Sequence, residues 1–66
     1  MYRMRMRLKR FLEMSKITQS EFARKIGATR QAVWRWAHHF GVPRKATLRR
    51  IVRVTGGRVT YEDFVS

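Results

Sequence analysis

Between residues 18 and 39 the apolar positions form two short helical stripes with a glycine between them. Phe22, Ala23 and Ile26 make the first, and Val33, Trp36 and Ala37, at i, i+3 and i+4, make the second. Thr18 is a candidate N-cap, and Glu21 three residues later completes a capping box. Gly27 stands where a helix closes on a left-handed residue, Ala28 is the turn, and Thr29 is a second N-cap candidate. Helix, glycine turn, helix is the layout of a helix-turn-helix.

The flanks are less decided. Tyr2, Met4, Met6 and Leu8 alternate with arginines at strand period, yet Leu8, Phe11 and Leu12 continue at helix spacing. The preferred reading is a first helix over residues 4–14 that covers the helix-turn-helix pair; the rival is a short strand over residues 2–7 before a shorter helix. Ile17, just before the Thr18 cap, is placed to pack on Phe22 as a hydrophobic staple. Gly41 suits the C-terminal cap of the second motif helix, and Pro43 the first turn of the next. Leu48, Ile51, Val52 and Thr55 make a further helical face that Gly56 stops. Residues 51–61 also read as a β-hairpin, with β-branched arms around Gly56-Gly57. The helical reading is preferred, because it leaves Thr60 to cap a last turn with Glu62 and Asp63 at its positive end. The expected fold is therefore all-α, four to five short helices around a helix-turn-helix. The alternative is an α+β domain with an N-terminal strand and a C-terminal hairpin.

Composition narrows the class. Sixty-six residues allow one domain, 1–66, which buries only about 60% of the surface its unfolded chain exposes. There is no cysteine, so neither a disulfide nor a thiolate metal site supports it. Sixteen Lys and Arg against four Asp and Glu give a net charge of +12. Such a balance drives association with polyanions, nucleic acid first among them. A hydrophobic content of 44% argues for a folded domain over a disordered polycation. No apolar run is long enough for a membrane span or a secretory signal.

Residues 18–39 resemble the helix-turn-helix of the Cro and cI repressors of lambdoid phages. The match is positional: the motif opens on Gln19, Ala23 is the small residue where the helices cross, Gly27 is the turn glycine, and Val33 and Trp36 are the buried positions of the recognition helix. The small all-helical members are the nearer likeness, since residues 55–60 follow their pattern of a helix ending on Gly-Gly, a valine tucked inward and a capping threonine. In the α+β alternative the chain would be lambda-Cro-like. The resemblance implies a helix over residues 29–39 in the major groove, with Thr29, Arg30, Gln31, Trp34, Arg35 and His38 facing outward. It also implies a homodimer on a two-fold operator, with recognition helices about 34–36 Å apart.

The chemistry of those positions suits base reading. Arginine forks onto guanine O6 and N7, and glutamine pairs bidentately with adenine N6 and N7. Arg30, Gln31 and Arg35 are the expected base readers. Trp34 departs from the family, which carries something smaller or polar there. Contact with a thymine methyl or sugar stands beside packing on Phe40 or a partner subunit, with packing preferred. Gln19 and Thr29, at helix N-termini, suit phosphate clamping. His38, Lys16, Arg44 and Lys45 are further phosphate candidates. Trp36 is read as core.

The expected function is a sequence-specific DNA-binding transcriptional regulator that represses by occupying an operator. The alternative is a non-specific basic nucleic-acid binder. Four carboxylates, two adjacent histidines and no thiol are a poor inventory for catalysis, so no enzyme activity is expected. Nor is a metal, cofactor, small-molecule substrate or membrane partner. The expected partners are double-stranded DNA and a second copy of the chain, joined through residues 54–65, its least basic part. The expected location is the cytoplasm of a bacterial host, at the nucleoid.

Overall fold

In the computed structural model the described residues are 6–65. They form five helices and no strand: α1 Leu8–Ser15, α2 Gln19–Ile26, α3 Arg30–Ala37, α4 Lys45–Val54 and α5 Glu62–Val65. The all-α expectation holds among these residues. α2 packs on both α3 and α4, and α1 on α3. The core between them is Leu8, Phe11, Leu12, Phe22, Ala23, Ile26, Val33, Ala37, Ile51, Val59 and Phe64. Burial of these side chains is the main favourable term in so small a domain.

Local chemistry accounts for most element ends. Thr18 Oγ1 accepts the Glu21 N–H at 3.1 Å, and the Glu21 carboxylate accepts the Thr18 N–H at 3.0 Å. This is the full capping box expected from the spacing. The Thr18 N–H and then its hydroxyl, with Arg24 and Lys25 nearby, hold the Glu21 pKa below its ordinary value. A lowered carboxylate pKa stabilises the fold fully above the unfolded value of about 4.3, and that share disappears as pH falls through the folded value. In Glu21→Gln the pH-dependent share should be absent. Thermal melts should therefore show wild type ahead of the variant at pH 7, with the gap closing below pH 4. A gap that stays constant from pH 7 to pH 3 would contradict this.

Gly27 closes α2 at φ +70°, and Thr29 caps α3 by accepting the Ala32 N–H at 3.1 Å. The three residues between the helices therefore turn the chain tightly, and Ala23, 3% exposed, sits in the packed α2. Ile17 is half-buried against the core, consistent with the staple. α1 closes on Lys16, a left-handed residue at φ 55° where glycine is the usual choice.

Three boundaries differ from expectation. The first helix begins at Leu8, so the expected start near residue 4 is corrected where the structure describes it; residues 4 and 5 of the expected helix, and residues 2–5 of the rival strand, lie outside the described residues. Met6 instead donates its N–H to the Arg58 carbonyl at 2.8 Å, which ties the approach to α1 to the loop after α4. α3 ends at Ala37 rather than 39, and the left-handed residue after it is His39 at φ 64°, with Gly41 further on at φ 129°. Pro43 is buried but precedes the Arg44 N-cap of α4, two positions before the first helical residue Lys45.

Residues 51–54 are helical, so the hairpin alternative is overturned. A strand would set Arg53 on the same face as Ile51 and Thr55, whereas the helix buries Ile51 and Thr55, at 0% and 1% exposure, and turns Arg53 out to solvent. Thr55 then secures the exit. Its hydroxyl accepts the Val59 N–H at 3.2 Å and donates to the Val52 carbonyl at 3.3 Å, while Val59 is fully buried. The last turn opens at residues 60–63 as expected, but with Asp63 as the acceptor: its carboxylate takes the Thr60 N–H at 2.8 Å and the Thr60 hydroxyl at 3.2 Å, so Thr60 donates where it was expected to accept.

Candidate nucleic-acid interface

α3 has one inward and one outward side. Val33 and Ala37 are buried, and Trp36 is half-buried against the core. Arg30, Gln31, Trp34, Arg35 and His38 are exposed. Their spacings of one, three, four and five residues keep them within one half of the helix circumference. Arg30, Gln31 and Trp34 line a single recess of about 400 Å³. An α-helix with side chains is about 10–12 Å across, and a B-form major groove is about 12 Å wide. The outward side therefore has the size and the donor chemistry to enter such a groove.

Trp34 is held by neighbours. Its ring stacks on His38 with centroids 4.2 Å apart and on Phe40 at 5.9 Å, both nearly parallel. The expected packing on Phe40 is present, and the indole still remains 45% exposed. The stack depends on the left-handed turn at His39, which brings Phe40 back so that its N–H reaches the Arg35 carbonyl at 2.7 Å. His38 Nδ1 lies 2.9 Å from the Trp34 carbonyl. A carbonyl only accepts, so in this contact Nδ1 is the donor.

The expected phosphate contacts are spread over several elements. Thr29, at the N-terminus of α3, uses its oxygen as the cap acceptor and retains its O–H as a donor. Gln19 is the first residue of α2 and is half-buried. Lys16 lies in the α1–α2 link, and Arg44 and Lys45 open α4; all three are exposed, and none lines the recess beside Trp34. α4 adds Arg49, Arg50 and Arg53 and contains no acid, so like charges recur at i and i+4 along its exposed side.

Arg50 carries a role that local sequence rules miss. Its guanidinium donates to the Ile26 carbonyl at 3.4 Å, at the C-terminal end of α2. It satisfies a carbonyl left over by helix termination and neutralises the negative end of the helix dipole. A Cβ built on Gly27 would meet Arg50 Nη1 at 2.9 Å. Arg50 therefore backs the turn that aims α3. Cations commonly serve helix C-termini, but this one comes from 24 residues further along, and no local pattern announces it. Gly27→Ala should cost about 1–2 kcal/mol, mostly from the left-handed backbone. The same substitution should cost less in an Arg50→Met background, where the contact is gone. Urea midpoints of the four-member cycle measure this, and a strictly additive pair would remove Arg50 from the turn.

No protein-family model, curated protein or solved structure matches this chain. Among the described residues no helix is long and apolar enough to cross a membrane.

Proposed function

We propose that this domain is a sequence-specific DNA-binding transcriptional regulator, of the Cro-like repressor kind, that lays α3 in the major groove of an operator. The observation carrying the reading is the single outward side of α3, where Arg30, Gln31, Trp34 and Arg35 stand exposed behind a capped, glycine-closed turn. Arg30, Gln31 and Arg35 read base edges, and Trp34, fixed by its aromatic neighbours, offers an apolar edge for a thymine methyl. Thr29, Gln19 and His38 hold phosphates near α3, and Lys16, Arg44 and Lys45 add charge from other elements. The protein acts by occupancy, without a chemical step, in the cytoplasm of a bacterial host.

One α3 reads few base pairs and buries little surface, so the working form on DNA is a homodimer. Exposed Tyr61 and Val65, at 54% and 52%, give residues 54–65 an apolar surface for that contact.

A second reading, a non-specific basic nucleic-acid binder, draws support from the cations carried by every helix from α1 to α4. Selection from a random duplex library separates the two. A specific reader yields a palindromic consensus and prefers it over random duplex by at least about 10³ at physiological salt. Enrichment of no consensus would leave the non-specific binder. Both bind more weakly as salt rises, so salt dependence alone does not discriminate.

A further inference from the structure

A second cluster of basic groups lines a different groove from the recess beside Trp34, with His38, stacked on Trp34, between the two. The approach to α1 and the residues after α3 enclose an open groove of about 400 Å³. Arg7, Arg10 and Glu13 line one side, and His38 and His39 the other. Within it Arg7 Nη1 and His39 Nε2 are 3.2 Å apart. A guanidinium only donates, so in this contact Nε2 is the acceptor. His39 presents this ring from a left-handed backbone, φ 64°, that non-glycine residues seldom adopt. We propose that this groove is an oxyanion subsite in which Arg7 and His39 together hold a phosphate group.

The chemistry follows from the contact. An oxygen placed between the two groups accepts a charge-assisted hydrogen bond from the guanidinium and another from the imidazole when its proton sits on Nε2. Without an anion, a proton on Nε2 sets two donors against each other; with one, the two donors share an acceptor. The charged and titratable groups facing His39 are Arg7, Lys9, Arg10 and Glu13 from the α1 side and His38 from its own. Lys9 and Arg10 favour the anion, and Glu13 opposes it. The phosphate has two possible sources, a nucleic-acid backbone or free phosphate, and the subsite does not depend on α3 reading bases.

The test uses the whole chain with two probes, inorganic phosphate and a random-sequence duplex. The variants are Arg7→Gln, Glu13→Gln and His39→Asn, the last chosen because asparagine tolerates the left-handed backbone. All three positions are exposed, and far-UV circular dichroism checks that each variant is folded. At constant ionic strength and pH, inorganic phosphate should shift the His39 ring resonances saturably. The shift should vanish in Arg7→Gln and strengthen in Glu13→Gln. For the duplex, Arg7→Gln and His39→Asn should each lower the slope of log affinity against log salt by about one. A slope change without a response to inorganic phosphate assigns the site to nucleic-acid backbone; a phosphate response with unchanged slopes assigns it to free phosphate. No phosphate response together with wild-type slopes overturns the subsite and leaves the major-groove reading standing. Saturable phosphate binding by a protein that binds no duplex supports the subsite and removes the DNA reading instead.

Discussion

Phe22→Ala is expected to unfold the domain. Phe22 is 0% exposed and packs its ring against Phe11 at 6.2 Å, in the layer where α1 covers α2. Truncating a buried phenylalanine costs about 3–5 kcal/mol, from lost burial and from the cavity left behind. A domain of this length has a total stability of about 3–10 kcal/mol. The loss is therefore comparable with everything that holds the chain together, and no disulfide makes up the difference. Far-UV circular dichroism at 25 °C should show a largely non-helical chain, or a cooperative melt displaced far below that of wild type. Met14→Ala, at a position 60% exposed, should melt almost as wild type does. If Phe22→Ala melted within about 1 kcal/mol of wild type, the burial of Phe22 against Phe11 would be wrong.

The joint replacement of Gln31 and Arg35 by alanine should abolish discrimination between a selected duplex and random DNA. Both side chains are exposed on the outward side of α3, so their removal leaves the core of Val33 and Ala37 untouched. Each well-formed bidentate base contact discriminates by about 1–3 kcal/mol, and the pair by roughly twice that if the two act independently. Singly, each substitution should relax preference at one base position while leaving affinity for random duplex nearly unchanged. Lys45→Ala is the contrasting variant: affinity should drop alike on every sequence, with the salt slope lower by about one. An equal loss on all sequences for Arg35→Ala would move Arg35 from base reader to phosphate contact. Unchanged selectivity in the double variant would remove α3 as the reading element.

The lengths over which interactions act explain which features the chain announces. Thr18 with Glu21, Thr29 with Ala32 and Thr60 with Asp63 are each three residues apart, so one helical turn brings the partners together whatever the rest of the molecule does. Gly27 is equally local, since its positive φ requires only that no Cβ be present. The stripes through Phe22 and Ile26, and through Val33 and Ala37, follow from helical period, and with them the outward placement of Arg30, Gln31 and Arg35.

Other features depended on distant packing. Residues 51–55 are β-branched enough to serve either a hairpin or a helix, and the choice fell when Ile51 and Thr55 were enclosed while Arg53 stayed outside. The start of α1 at Leu8 likewise could not be read from an alternating pattern that suited both structures. Arg50 on the Ile26 carbonyl and Arg7 on His39 span 24 and 32 residues, and nothing in either local stretch names its partner. Trp34 lies between these cases. Its meeting with Phe40 was foreseeable from proximity along the chain, but the geometry of the stack rests on the left-handed backbone at His39. Capping, turns and face periodicity were thus written into neighbouring residues, because their energies are settled within one helical turn. The backing of the α2 exit by Arg50, the exit of α3 and the groove beside α1 were settled only by which helices came to rest against one another.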